Sequence, residues 1–224
     1  MSGAEYRDEN GEVIDSIGID KSKVKDIIDT IAKESHIIEM YTNKGVFTTK
    51  YSEKDYQDSI NRAKQFNSEM SEEDVIKLLA KLRSKMIEFS IDKVDELLSQ
   101  DIIIYKMLTF HSSKKTIKEL KSKISKIGGL AVASTTEYDI EINDVQAQKG
   151  TILAKVAKLK GINNDEVIVF GDSFNDYSMF KEFKNSYAME NAIPEIKEIA
   201  TYITDTNNND GVGKAILKAI NKHK

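Results

Sequence analysis

The sequence predicts an α/β protein whose carboxyl part is built on a parallel sheet. Val167-Ile-Val-Phe170 is an apolar run of mostly β-branched or aromatic residues that stops at Gly171, the pattern of a buried parallel strand. From Lys149 onward, amphipathic helices alternate with short apolar strands, as in a doubly wound sheet. The turn after the strand crowds Asp172, Asn175 and Asp176 together. Ligands of open α/β sheets bind beyond the carboxyl ends of the strands, so this turn lies where chemistry is usually done.

The chain begins with an alternating stretch over residues 4–19. Asp8-Glu-Asn-Gly11 gives it a hairpin turn. Val24, Ile27, Ile28 and Ile31 make one apolar face of a helix over 21–33. Residues 36–42 and 46–50 read as strands of a second hairpin around Asn43-Lys-Gly45. Helices are expected over 52–66 and over 71–89. The second opens on the capping-box pattern Ser71-Glu-Glu-Asp74 and carries a stripe of Val75, Leu78, Leu79, Leu82 and Met86 that reads as a core face. A short helix at 93–98 precedes a strand at 102–110. A helix over 114–127 ends at Gly128-Gly129, and a strand over 130–143 follows. Ile152, Leu153, Val156 and Leu159 form the apolar face of the helix after Lys149. Strands near 186–189 and 202–204 flank a helix opened by Pro194, and 211–223 is the last helix, with basic residues at its negative end.

Composition bounds the function. The 224 residues are 40% apolar and 31% charged, an ordinary globular balance with room for a sizeable core. A net charge of −4 with both signs interspersed argues against a nucleic-acid or anionic-membrane surface. The absence of cysteine excludes disulfides, thiolate catalysis and zinc–thiolate sites. The acidic start lacks the basic and apolar regions of a signal peptide, and no run approaches membrane-spanning length; a cytoplasmic location is the expectation.

Asp172 and Asp176 supply the hard oxygens that Mg²⁺ prefers, and a site holding Mg²⁺ with few protein ligands usually works on phosphate. The same residues also suit a plain helix-capping loop, with Ser173 or Asp172 as N-cap. His36, His111 and His223 fall at strand ends or at the terminus, where structural roles are expected. His111, Lys106 and Tyr41 could also face a substrate, without a spacing that identifies one.

Gln148-Lys-Gly150, the helix after it, Gly161-Ile162, the strand with Gly171-Asp-Ser-Phe-Asn-Asp176, Tyr187-Ala-Met-Glu-Asn-Ala192, Ala200 and Asp210-Gly-Val212 occur in one succession. This succession resembles the haloacid dehalogenase superfamily, and within it the Cof-type sugar-phosphate phosphatases. The specific motifs cover residues 138–224, and the remainder is similar in outline. The resemblance implies a partial Rossmann-like core with an inserted α/β cap: residues 1–20 as the hairpin leading from core to cap, 21–143 as the cap, and 144–224 as the carboxyl half of the core. It implies a Mg²⁺-dependent phosphatase acting on small phosphorylated metabolites. Asp172 would ligate the metal, with Asp176 supporting it directly or through water. Lys149 and Asn175 would contact phosphate. Asn191 matches a family asparagine near the site, although its loop position equally suits a turn-forming role.

In the family, a first core strand carrying Asp-x-Asp-x-Thr precedes that hairpin, and its aspartate attacks phosphorus to give an aspartyl-phosphate that water hydrolyses. This sequence contains no Asp-x-Asp, so the nucleophile, the acid/base aspartate and a second phosphate-binding hydroxyl have no matching positions. The expectation is a truncated chain that does not turn over alone. The other reading is a non-catalytic remnant serving as a binding or assembly module. Either way, the Val167–Phe170 strand is expected to present a bare edge through which the chain self-associates.

Overall fold

The computed structural model describes residues 3–66 and 69–222. The chain divides into two compact units, Gly3–Val145 and Gln146–Lys224.

The first unit starts with the expected hairpin, β1 (Glu5–Arg7) antiparallel to β2 (Val13–Ser16). Asp8 closes its turn by accepting the backbone N–H groups of Asn10 and Glu12. The main sheet has six strands in the order β5-β4-β3-β6-β8-β7. They are β3 (Glu39–Thr42), β4 (Gly45–Thr49), β5 (Ile87–Phe89), β6 (Ile104–Phe110), β7 (Leu130–Ala133) and β8 (Asp139–Asp144). Among the described residues of this sheet, β4 and β5 pair in parallel and the other pairs are antiparallel.

Side chains alternate between the two faces of this sheet. Met40, Ile104, Met107, Ile140 and Ile142 point into one core with α1 (Lys21–Ile31), α4 (Val94–Ser99) and α5 (Lys114–Ile124). Val24, Ile27, Ile28 and Ile31 of α1 are all buried there, as their spacing predicts. Asp20 caps α1 by accepting Ser22 N–H at 2.9 Å. On the opposite face, Ile37, Leu108 and Phe110 form a smaller cluster with Tyr41 and Tyr51. Next to it Arg62, on α2 (Glu53–Phe66), pairs with the fully buried Asp139 of β8.

Four expectations need correction here. The helix over 71–89 stops early: α3 is Glu72–Arg83, capped by Ser71, and 87–89 become β5 beside β4. After Ser84 N–H donates to Ala80 O, the Lys85 and Met86 N–H groups turn to Leu82 O and Arg83 O in tighter bonds that close the helix. Ile87 and Phe89 then alternate with Glu88 as a strand does. The α3 stripe is only partly a core face, because Val75 is buried while Leu82 is 48% exposed. The strand over 130–143 is two strands, β7 and β8, folded back on each other. Asp139 forces that turn by accepting the backbone N–H groups of Thr135 and Thr136 and the Thr136 hydroxyl. The strand expected from His36 starts at Glu39, because Thr49 Oγ1 takes over the edge bonds to His36 O and Ile38 N.

The second unit alternates α6 (Lys149–Leu159), β9 (Ile168–Gly171), α7 (Tyr177–Glu182), β10 (Asn185–Ala188), α8 (Pro194–Ile199), β11 (Tyr202–Ile203) and α9 (Gly211–Lys222). Its three strands are parallel in the order β11-β10-β9. Phe170, Tyr187 and Tyr202 face each other across the three strands and stack, with centroids 5.4 and 4.7 Å apart. Each such pair adds about 0.5–1.5 kcal/mol beyond burial. Phe180, Ala188, Met189, Ala192 and Ile196 form the buried core. Pro194 opens α8 as expected. His223 lies outside the described residues. The expectation of a buried strand holds for Val169; Ile168 is 37% exposed, because β9 ends the sheet among the described residues.

Candidate active site

The site grows from the end of β9. At Gly171 the chain turns so sharply that Asp176, one turn later, folds back over it. A Cβ on Gly171 would lie 2.5 Å from the Cβ of Asp176 and 2.8 Å from its Oδ2, so only glycine leaves room. Asp176, 5% exposed, then closes the loop: its Oδ2 accepts the backbone N–H groups of Asp172 at 3.0 Å and Ser173 at 3.3 Å. Ser173 and Asp176 together form a capping box, the pattern Ser-x-x-Asp visible in the sequence. Ser173 Oγ donates to Asn175 Oδ1 at 2.8 Å, which fixes the carboxamide.

Lys149 is the first residue of α6, after its N-cap Gln148. Its Nζ donates to Asp176 Oδ1 at 2.6 Å. Gly150 allows this approach: its N–H donates to Ser178 Oγ at 2.9 Å, and any Cβ would overlap the Ser178 carbonyl. Ser178 is thus a positioning residue that the sequence did not single out; only the contact between α6 and α7 reveals it. Ile193 N–H donates to Asp172 O and Met189 N–H to Gly171 O, which pins the 189–193 loop beside the strand end.

The predicted residues therefore separate into distinct roles. Lys149, Asp176, Asn175 and Asp172 come together around the end of β9. Asp172 is partly buried, and its carboxylate has no hydrogen-bond partner among the described residues. Both oxygens of Asp176 are engaged, Oδ1 by the Lys149 ammonium and Oδ2 by two backbone N–H groups. Asn191 is exposed, and its Oδ1 accepts Asn207 N–H at 3.0 Å, so it ties its loop to the 205–211 turn. In that turn the Lys214 ammonium, the Thr206 N–H and the Asn209 amide hold the Asp205 carboxyl down to about 2. In the first unit, His111, Lys106 and Tyr41 are held by neighbours: His111 Nδ1 accepts Ser113 N–H, Lys106 pairs with Glu141, and Tyr41 donates to Glu39.

A buried carboxylate bridging a lysine and a loop thus lies beside a carboxylate without a partner among the described residues, at the end of a parallel strand, where ligands of open α/β sheets bind. The chain belongs to the haloacid dehalogenase-like hydrolase family, whose model matches residues 1–216. It is 28% identical over 214 residues to the phosphatase YwpJ of Bacillus subtilis, a match covering 94% of this chain and 75% of the relative. A second B. subtilis relative, 5-amino-6-(5-phospho-D-ribitylamino)uracil phosphatase YwtE, is 38% identical over 109 residues, 49% of this chain and 38% of its own length. A solved haloacid dehalogenase-like hydrolase from B. subtilis superposes with a TM-score of 0.77 at 28% identity, covering 94% of this chain and 75% of that one. The chain thus spans three quarters of one curated relative and well under half of the other. Among the described residues, no helix is long and apolar enough to cross a membrane.

Proposed function

We propose that the second unit carries the metal- and phosphate-binding half of a Mg²⁺-dependent phosphatase site for small phosphorylated metabolites, sugar phosphates among them, in the cytoplasm. The observation that carries this reading is the Lys149 ammonium held by Asp176 beside the unpartnered carboxylate of Asp172. Phosphoryl transfer needs cations to neutralise the equatorial oxygens as the bond to the leaving group breaks, and Lys149 is the fixed cation here. Asn175 presents its Nδ2, which has no partner among the described residues, as a donor for a phosphate oxygen. The phosphorylated ribityl group in the name of the second relative supports a phosphorylated polyol or sugar as the substrate class.

A donor set of oxygens, without nitrogen or sulfur, suits a hard cation such as Mg²⁺. Among the described residues, no three His, Cys, Asp or Glu side chains cluster as a metal cage. Mg²⁺ does not need one, since it keeps several waters and takes one or two carboxylates plus phosphate oxygens. Asp172 would hold it. When bound, it would supply positive charge to the phosphoryl oxygens. Asp176 orients Lys149 and the loop, and would support the metal directly or through water.

The 224 residues carry no Asp-x-Asp, so a polypeptide of these residues alone has no match to the family's nucleophilic aspartate. It should hydrolyse p-nitrophenyl phosphate with Mg²⁺ no faster than buffer. A version extended at its amino terminus by a core segment carrying Asp-x-Asp-x-Thr should turn over and lose activity with EDTA. Magnesium-dependent turnover by the unextended polypeptide, abolished by Asp172→Ala, would overturn the inactivity while keeping the site.

The exposed edge of β9 supports a second property, self-association of the 224-residue chain. An end strand offers unpaired backbone groups to another chain, and β9 carries no lysine, proline or bulge to block it.

A further inference from the structure

The Gly3–Val145 unit contains a cavity of about 220 Å³ that none of the phosphate chemistry uses. Three sides are built by different parts of the chain. Asp58, Asn61 and Arg62 line it from α2, where spacings of three and four place them on one helix face. Phe110 and His111 line it from the end of β6, and Tyr138 from the turn before β8. The last two walls are locked together, because His111 N–H donates to Tyr138 O at 3.0 Å.

Two of the polar groups are fixed by neighbours, and two are left to a ligand or solvent. His111 Nδ1 accepts the Ser113 N–H at 2.9 Å, so the neutral ring carries its proton on Nε2, which has no hydrogen-bond partner among the described residues. Arg62 donates Nε and Nη2 to Asp139 Oδ2 at 3.3 and 3.1 Å, and its guanidinium lies 5.3 Å from the centre of the Phe110 ring. That ion pair neutralises the floor. The Asp58 carboxylate and the Asn61 carboxamide have no hydrogen-bond partner among the described residues.

These groups define the ligand by charge and shape. With Arg62 cancelled by Asp139, the remaining formal charge is the Asp58 carboxylate, which repels phosphate and accepts O–H groups. The carboxylate, carboxamide and Nε2–H offer acceptors and donors to adjacent hydroxyls, while the Phe110 and Tyr138 rings offer apolar walls to the carbon skeleton. The volume is below the roughly 300–1,000 Å³ of drug-sized pockets, so the ligand is small. We propose that this cavity binds a neutral polyhydroxylated compound, a short sugar alcohol or monosaccharide, through Asp58, Asn61 and His111. The site stands on the first unit alone, and its test uses ligands without phosphate, so its outcome is independent of the phosphatase reading.

The test titrates the ¹⁵N-labelled 224-residue protein with ribitol, glucose, n-butylamine and inorganic phosphate in separate NMR series. Ribitol or glucose should give saturable shifts at the amides of residues 58, 61, 111 and 138, with millimolar affinity. Asp58→Ala and Asn61→Ala should each weaken that affinity about tenfold, the loss of one hydrogen-bonding group in a polar site, while resonances elsewhere stay in place. Neither side chain has a hydrogen-bond partner among the described residues, so the variants should fold. Absence of saturable shifts with either polyol, or saturation untouched by both substitutions, overturns the proposal. Saturation by n-butylamine or phosphate in place of the polyols overturns it as well, in favour of a cation or an anion site.

Discussion

Lys149 Nζ lies 2.6 Å from Asp176 Oδ1, while the other oxygen of the same carboxylate receives the N–H groups of Asp172 and Ser173. One buried side chain therefore couples the start of α6 to the loop after β9. The Asp172 carboxylate has no hydrogen-bond partner among the described residues. The two aspartates of one motif thus do different work, and substitutions should separate them.

Asp176→Ala strands two backbone N–H groups and removes the partner of Lys149. The expected cost is about 2–4 kcal/mol of stability. Asp172→Asn breaks no bond among the described residues and should fall within about 0.5 kcal/mol of the parent. Urea unfolding of both variants measures the difference. Equal losses would mean that Asp172 is also structural.

Metal and phosphate roles should separate as well. Asp172→Asn removes the carboxylate that has no partner among the described residues at the end of β9, so calorimetric Mg²⁺ binding should be lost. Lys149→Ala should keep Mg²⁺ binding and, in the extended, active form, lower turnover about a hundredfold, roughly 3 kcal/mol of transition-state stabilisation. Lys149→Arg should rescue poorly, because a planar fork does not replace a compact ammonium between Asp176 and a phosphate oxygen. Parental turnover in Lys149→Ala would reduce the lysine to a loop anchor.

The Asp205 turn gives a dependence on pH. Its folded carboxyl lies at about 2, held down first by Lys214, against roughly 3.9 for a free aspartate. A depressed carboxyl contributes stability that is complete above about pH 4 and is lost as pH falls toward about 2. Lys214→Met should move the Asp205 titration, followed by carbon NMR of its carboxyl, up toward the ordinary value. No movement would show that the Thr206 and Asn209 bonds hold it unaided.

The edge of β9 should show in solution. Ile168 is 37% exposed on an end strand. Sedimentation velocity is expected to show mass rising with concentration for the 224-residue chain. Ile168→Lys, a charge placed on the edge, should reduce it. A monodisperse monomer at every concentration, with or without the substitution, would remove self-association from the picture.

The elements legible in the sequence are those where local pattern and tertiary packing agree. Val24, Ile27, Ile28 and Ile31 announce α1 because the 3.6-residue period is the face that the sheet covers. Glycine and proline mark boundaries at Gly45 and Pro194 for steric reasons that hold in any surroundings. The misreadings share a cause. Met86 to Phe89 continue a helical stripe, yet pairing with β4 offers the same residues a strand, and pairing between distant segments leaves no local mark. The turn between β7 and β8 is equally silent, because it depends on where the Asp139 carboxylate points once Arg62 has neutralised it.

For the site, the sequence by itself determined the chemistry available: a strand ending in Gly171, two aspartates, an asparagine, and a lysine before a glycine. Residue type and spacing suffice for that, since a strand must stop before a turn of acids can lie beyond it. Only the tertiary structure decided which aspartate is free. Asp172 and Asp176 are the same residue four positions apart, and nothing local distinguishes their oxygens. The difference arises because α6 brings Lys149 to one oxygen of Asp176, while the glycine at 171 lets the other reach back to two backbone N–H groups. Burial then makes those bonds costly to give up, and the carboxylate left without partners is the one available to a metal.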